Sequence, residues 1–166
     1  MKSLFIFLVV ALLYPVYPES EKILGGHILF PEEAVRILGE PCRLIASETT
    51  AENGGHQYAF TYEANSSDEQ SGRIVALYYQ FESFQDEAAA KAIFNTFSLS
   101  NQGHEGFERV SDLGDEAFFQ SDSRNFYLLI VRKGNEMVRL KVNKITPRTS
   151  LPELRKIARA VIQRVS

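Results

Sequence analysis

Cysteine is nearly missing from this chain. Cys42 is the only one among 166 residues, so no disulfide can close within it. A cysteine is also missing just after the N-terminal apolar run, which excludes bacterial lipid attachment at its usual place. That run, Leu4 to Leu13, stops at Tyr14-Pro15, well short of the roughly 20 apolar residues a membrane-spanning helix needs. There is no Gly-x-Ser-x-Gly nucleophile elbow, and no His, Cys, Asp or Glu run with the spacing of a known metal loop. No low-complexity tract, solenoid period or interdomain linker interrupts the sequence. Basic residues are scarce over most of the length: residues 1–123 hold 7 basic and 19 acidic side chains, a balance of −12.

What is present begins with the N-terminus. Lys2 followed by the apolar run has the layout of a secretory signal peptide. The expectation is a signal peptide over residues 1–20 and one domain over 21–166, exported to the periplasm or the cell exterior. Tyr14 to Ser20 offers a poor cleavage pattern, with Pro18 and Ser20 its best part. An uncleaved anchor is the alternative, and membrane contact is expected only in that case. About 146 mature residues suit one domain and bury a sizeable core without staples. Cys42, between Pro41 and Arg43, then reads as a small buried hydrophobe rather than a reactive thiol.

The periodicities give an α+β order. Residues 28–39 read as a short helix with Pro31 at its first position, Glu32 and Glu33 at its positive end and Gly39 as its stop. Its buried side is expected to be Ala34, Val35, Ile37 and Leu38. Arg43 to Glu48 reads as a strand, Gly54-Gly55 as a turn, and His56 to Glu63 as an alternating strand. Asn65 to Ser71 reads as a polar turn. Arg73 to Phe81 is apolar on both sides, which predicts a central strand covered on both faces. Residues 84–98 have helical period, with Ser83 as cap and Ala89, Ala90, Ile93, Phe94 and Phe97 as the apolar face. Phe107 to Val110 and Glu116 to Gln120 read as strands around a turn at Leu113-Gly114-Asp115.

The best-specified element is a hairpin. Phe126 to Lys133 and Glu136 to Asn143 flank Gly134-Asn135, a two-residue turn. Folding there sets Val131 against Val138, Leu129 against Leu140, Tyr127 against Val142 and Lys133 against Glu136. The other face sets Ile130 against Arg139 and Leu128 against Lys141. Ser150-Leu-Pro-Glu153 is a capping box for a last helix to Val165, with a stripe from Leu151 to Val165 at steps of three and four. Short turns between strands favour antiparallel pairing. The fold class is therefore α+β, an antiparallel sheet covered by helices.

Two patches carry a resemblance. One is Leu29-Phe-Pro-Glu-Glu-Ala-Val-Arg-Ile-Leu-Gly-Glu-Pro41. The other is Val110-Ser-Asp-Leu-Gly-Asp-Glu-Ala-Phe-Phe119, followed by Leu129-Ile-Val-Arg-Lys-Gly134 and Met137-Val-Arg-Leu140. Together they resemble a broad group of small bacterial secreted and lipoprotein domains of unknown function, similar in fold to the PsbP-like α/β/α sandwich. The resemblance implies a helix-covered antiparallel sheet and no catalytic residues.

Chemistry-bearing clusters are few. His104-Glu105 and the acids Asp112, Asp115 and Glu116 read as solvated turn residues rather than cation ligands, and His27, His56 and His104 each sit beside glycine in expected loops. Neither a catalytic residue nor a cofactor or metal site is expected. A hydrolase would need a serine or Cys42 brought to a histidine by the fold.

Residues 124–166 reverse the charge balance, with 11 basic and 2 acidic side chains, a balance of +9. Arg132, Arg139, Lys141, Arg155, Lys156, Arg159 and Arg164 are the candidate partner-binding residues, with the last helix showing a basic surface outward. Their partner would be a protein or an anionic envelope component; nucleic acid is not expected, because the stretch lacks interleaved aromatics for stacking. The competing reading has the acidic and basic segments fold against each other. The function expected is thus a non-catalytic exported accessory or binding domain. The alternative is a carrier of a small apolar ligand on the aromatic set Tyr58, Phe60, Tyr62, Tyr78, Tyr79, Phe81, Phe118, Phe119 and Tyr127.

Overall fold

The computed structural model of the protein describes residues 29–52, 55–67 and 72–164. The signal-peptide and cleavage readings, His27 and Gly54 lie outside them. The elements run α1 (Pro31–Leu38), β1 (Cys42–Glu52), β2 (Gly55–Ser67), β3 (Ile74–Ser83), α2 (Glu87–Asn101), β4 (Glu108–Val110), β5 (Glu116–Gln120), β6 (Tyr127–Lys133), β7 (Glu136–Val142) and α3 (Leu151–Arg164). The strands form one antiparallel sheet in the order β1-β2-β3-β7-β6-β5-β4. The α+β fold class expected from the periodicities is the one observed.

Strand alternation splits the apolar residues between two cores. Phe60, Tyr62, Leu77, Tyr79, Phe81, Leu129, Val131, Val138 and Leu140 pack with Ala34, Ile37 and Leu38 of α1 and with Leu154, Ile157, Ala158, Val161 and Ile162 of α3. The residues between them face the other way, where Phe118, Ile130 and Met137 pack with Phe94 of α2. α1 and α3 thus cover one face and α2 the other.

Local signals explain where the helices start and stop. Pro31 opens α1, the Glu33 carboxylate accepts from the Phe30 N–H at 3.0 Å, and Gly39 ends the helix at φ 74°. No other residue fits there, since a Cβ on Gly39 would stand 2.0 Å from the Arg148 carbonyl oxygen. Ser150 caps α3 by accepting from the Glu153 N–H at 3.3 Å. Beneath α1 the Tyr62 hydroxyl donates to the Leu29 carbonyl at 2.6 Å. Burial, with nearby negative charge adding to it, pushes that phenol up to about 12.

The β6–β7 hairpin adopts the expected register throughout, from Lys133 against Glu136 to Tyr127 against Val142. Other expectations need correcting. β1 and β2 are longer than their apolar patterning, because ladder pairing carries polar residues along: β1 runs on to Glu52, opposite Gly55, and β2 to Ser67, opposite Ile74 of β3. The N-cap of α2 is Asp86, not Ser83: its carboxylate accepts from the Ala89 N–H at 2.8 Å, while Ser83 stays in β3. Ile93 is exposed and Val35 only half-buried, so the buried lines are Ala90-Phe94-Ser98 on α2 and Glu33, Ala34, Ile37 and Leu38 on α1. β3 is not covered on both faces. α2 packs over β6 and β7 and leaves Ile74 and Tyr78 45% exposed.

Candidate functional site

The seven candidate basic residues do not form a free positive surface. Arg132 is 3% exposed on the α2 face of β6. Its Nε donates to Glu116 at 2.8 Å and its Nη1 to the Gly134 carbonyl at 2.7 Å, with Glu87 and Asp115 each 3.3 Å away. Arg139 donates to Glu82 at 2.9 Å and lies over the Phe97 ring. On α3, Arg155 meets Glu108 at 2.9 Å, Arg159 meets Asp112 at 2.6 Å, and Lys156 meets Glu153 at 3.4 Å. Arg164 holds both oxygens of Glu33 at 3.0 Å. Most of these acids come from the acidic first segment, so the opposite charges interleave, and the outward basic surface expected of α3 is largely neutralised. The same pairs absorb Asp112, Asp115 and Glu116.

Lys141 is the exception. Among the described residues no acid lies within ion-pair distance of it. It stands on the α2 face of β7, opposite Leu128 on one side and Tyr78 on the other. The same cross-strand row continues to Gln120 on β5 and to Thr61 on β2. Along this row Gln120 and Leu128 are still covered, whereas Lys141 and Tyr78 are exposed.

A groove of about 420 Å³ opens there, lined by Asn101, His104, Gln120, Asn125, Phe126, Leu128, Lys141 and Asn143. Its walls are fixed by short-range chemistry. Asn143 accepts from the Ala76 N–H at 2.7 Å and donates to the Ile74 carbonyl at 3.2 Å. The loop carrying His104 is pinned at Gly106, whose φ of 71° brings its Cα so near Ser121 that a Cβ would stand 1.7 Å from that carbonyl oxygen. On the facing rim, Ser121 donates to the Phe126 carbonyl at 2.7 Å and accepts from the Ser123 N–H at 2.9 Å, with Ser123 at φ 61°. Asp122 accepts from the backbone N–H groups of Arg124, Asn125 and Phe126. The Asn125 N–H foremost among these donors holds the Asp122 carboxyl down at about 2. One lining side chain is left over. Gln120 is 6% exposed, and its amide takes no hydrogen bond among the described residues.

Other candidates fall into place around this. His56 is on β2 rather than in a loop, and it stands opposite Ser83, which stands opposite Glu136. The serine lies between the other two, so no carboxylate orients the imidazole as a triad requires. No hydrogen bond joins the three among the described residues. A second cleft of about 300 Å³ lies beside them, at the other end of the sheet. Burial first, then the negative charge of Glu40, pushes the half-buried Cys42 thiol up, the reverse of nucleophile activation. Of the aromatic set, Phe60, Tyr62, Tyr79 and Phe81 are packed under α1 and α3, and Phe118 under α2; Tyr78 is the one in the open.

Gln120, the exposure of Tyr78 and the free state of Lys141 escaped sequence reading. The hairpin turn gave the pairing of Leu128 with Lys141, but extending that row needs the β5–β6 and β3–β7 registers, which no local turn announces.

Fold and groove together define an α+β sheet-and-helix protein with a polar hollow on its half-open face. No family model, curated protein or solved structure matches the chain.

Proposed function

We propose that this is a non-catalytic exported accessory domain, acting in the periplasm or outside the cell, that engages an anionic envelope component at the groove beside Lys141. One observation carries the reading. Of seven basic residues concentrated toward the C-terminus, six have acidic partners, and Lys141 alone presents an uncommitted charge beside a preformed hollow. The N-terminal charge-plus-apolar layout supports export. The apolar-carrier reading is less well supported, because the aromatic side chains it would use are packed against helices.

Capture of envelope components at low and high salt tests it. Exposed charge is screened over about 8–10 Å near physiological ionic strength, so capture should fall as salt rises. Lys141→Glu should abolish low-salt capture with the melting temperature unchanged. Joint reversal of Arg155, Lys156, Arg159 and Arg164 should instead lower stability, because it sets four acids beside four acids. Unchanged capture by Lys141→Glu would overturn the proposal.

A further inference from the structure

We infer that the groove takes an acidic saccharide, a sugar unit bearing one carboxylate. The inference rests on the binding reading above and names its ligand class. Three features of the groove converge on it.

The first is charge. A lone ammonium with no acidic neighbour among the described residues matches a single anionic group. Lysine is a point charge, suited to one carboxylate, whereas a dianionic phosphate or a sulfated polymer would call for an arginine fork or several cations. The nearest arginine in the ladder, Arg139, is committed to Glu82.

The second is hydrogen bonding. Gln120 is a mostly buried residue whose amide makes no hydrogen bond among the described residues and keeps its polar atoms open to solvent at the hollow. An amide open to solvent can exchange water for a ligand that supplies both a donor and an acceptor. A sugar hydroxyl does both at one atom. Asn101 and Asn125 add to this: each spends its Nδ2 on the protein, at Phe97 and Asp122, and keeps its Oδ1 as an acceptor. His104 stands at the exposed loop of the same rim.

The third is the apolar part. Leu128 and Phe126 line the hollow, and Tyr78, 45% exposed, stands beside Lys141 in the same cross-strand row. A pyranose has an apolar C–H face and a polar rim, and this surface offers both in one place. The volume, about 420 Å³, is that of a small-ligand site rather than a macromolecular interface.

The test is an NMR titration of the isotopically labelled full chain with digalacturonate, its neutral dimethyl ester and acetate. Digalacturonate should perturb the amides of Gln120, Leu128, Lys141 and Asn143. The ester should bind about tenfold more weakly, the loss expected for one charge-assisted contact. Acetate should leave the groove untouched at the same concentration. Lys141→Gln should erase the preference for the acid over the ester, and Gln120→Leu should weaken both. Equal binding of acid and ester, or equal binding of acetate, would overturn the inference. So would an absence of groove shifts with every probe. If envelope capture still depends on Lys141 in that last case, only the ligand class fails. If capture is also indifferent to Lys141, the binding reading fails with it.

Discussion

Tyr78 and Tyr79 are neighbours in sequence and opposites in structure. Tyr79 is 1% exposed, stacked with Phe60 at 5.9 Å under α1 and α3, while Tyr78 is 45% exposed on the other face of the same strand. The difference follows from how the two faces are covered. Two helices lie across one face, from β1 through β7, and their apolar stripes bury most of its sheet residues, with Leu44 on the edge strand β1 left 47% exposed. A single helix lies over the other face and stops at Asn101, so the row Gln120, Leu128, Lys141, Tyr78 and Thr61 runs out from beneath it. One face holds the molecule together. The other, being half-finished, leaves side chains such as Tyr78 and Lys141 open to solvent.

Breaking the pair should expose that division most clearly. Tyr79→Ala removes a ring from a filled core and should cost about 3–5 kcal/mol by urea unfolding. Tyr78→Ala, one residue away, should change stability by no more than about 0.5 kcal/mol. Comparable losses at the two positions would mean that the open face is not open. Next in size comes Arg132, the one guanidinium buried on the α2 face. It ties Glu116, Glu87 and Asp115 to the turn carbonyl of Gly134. Arg132→Ala strands those groups and should cost about 3 kcal/mol, the low end for a broken buried pair because Glu87 and Asp115 keep contact with water. A loss below about 1 kcal/mol would show the cluster to be a solvated surface network instead.

How much of this was legible depended on whether the deciding interaction was local. The hairpin at Gly134-Asn135 could be read residue by residue, because a two-residue turn fixes register and register fixes faces. The ends of α1 could be read for the same reason, from Pro31 and Gly39. The cap of α2 reads as Ser83 from the pattern but is Asp86 in the fold, since either side chain can cap and only the length of β3 decides. The basic residues were visible as a group, but their acids lie 47 to 131 positions away for Arg155, Arg159 and Arg164. Composition gives a charge and not its partner. The groove is the hardest case. It is made by where α2 ends over the sheet, a fact of packing that no pattern in residues 84–98 contains.

The smallest expected effect is confined to the groove rim, and it separates rim from core by pH. Asp122 has its carboxyl held at about 2, against an ordinary 3.8, chiefly by the Asn125 N–H. A carboxyl depressed on folding adds stability that is complete above its unfolded value and is lost as pH falls through the folded one. The rim should therefore be intact at pH 5 and loosen between about 4 and 2, while the apolar core around Tyr79 stays packed. Followed by NMR, the amides of Arg124, Asn125 and Phe126 should titrate together with a midpoint near 2. Asp122→Ala should give them fast hydrogen exchange at neutral pH without moving the global melting temperature. A midpoint near 4 would mean that the carboxylate caps nothing, and the Asn125 and Phe126 wall of the groove would then be a flexible loop rather than a preformed one.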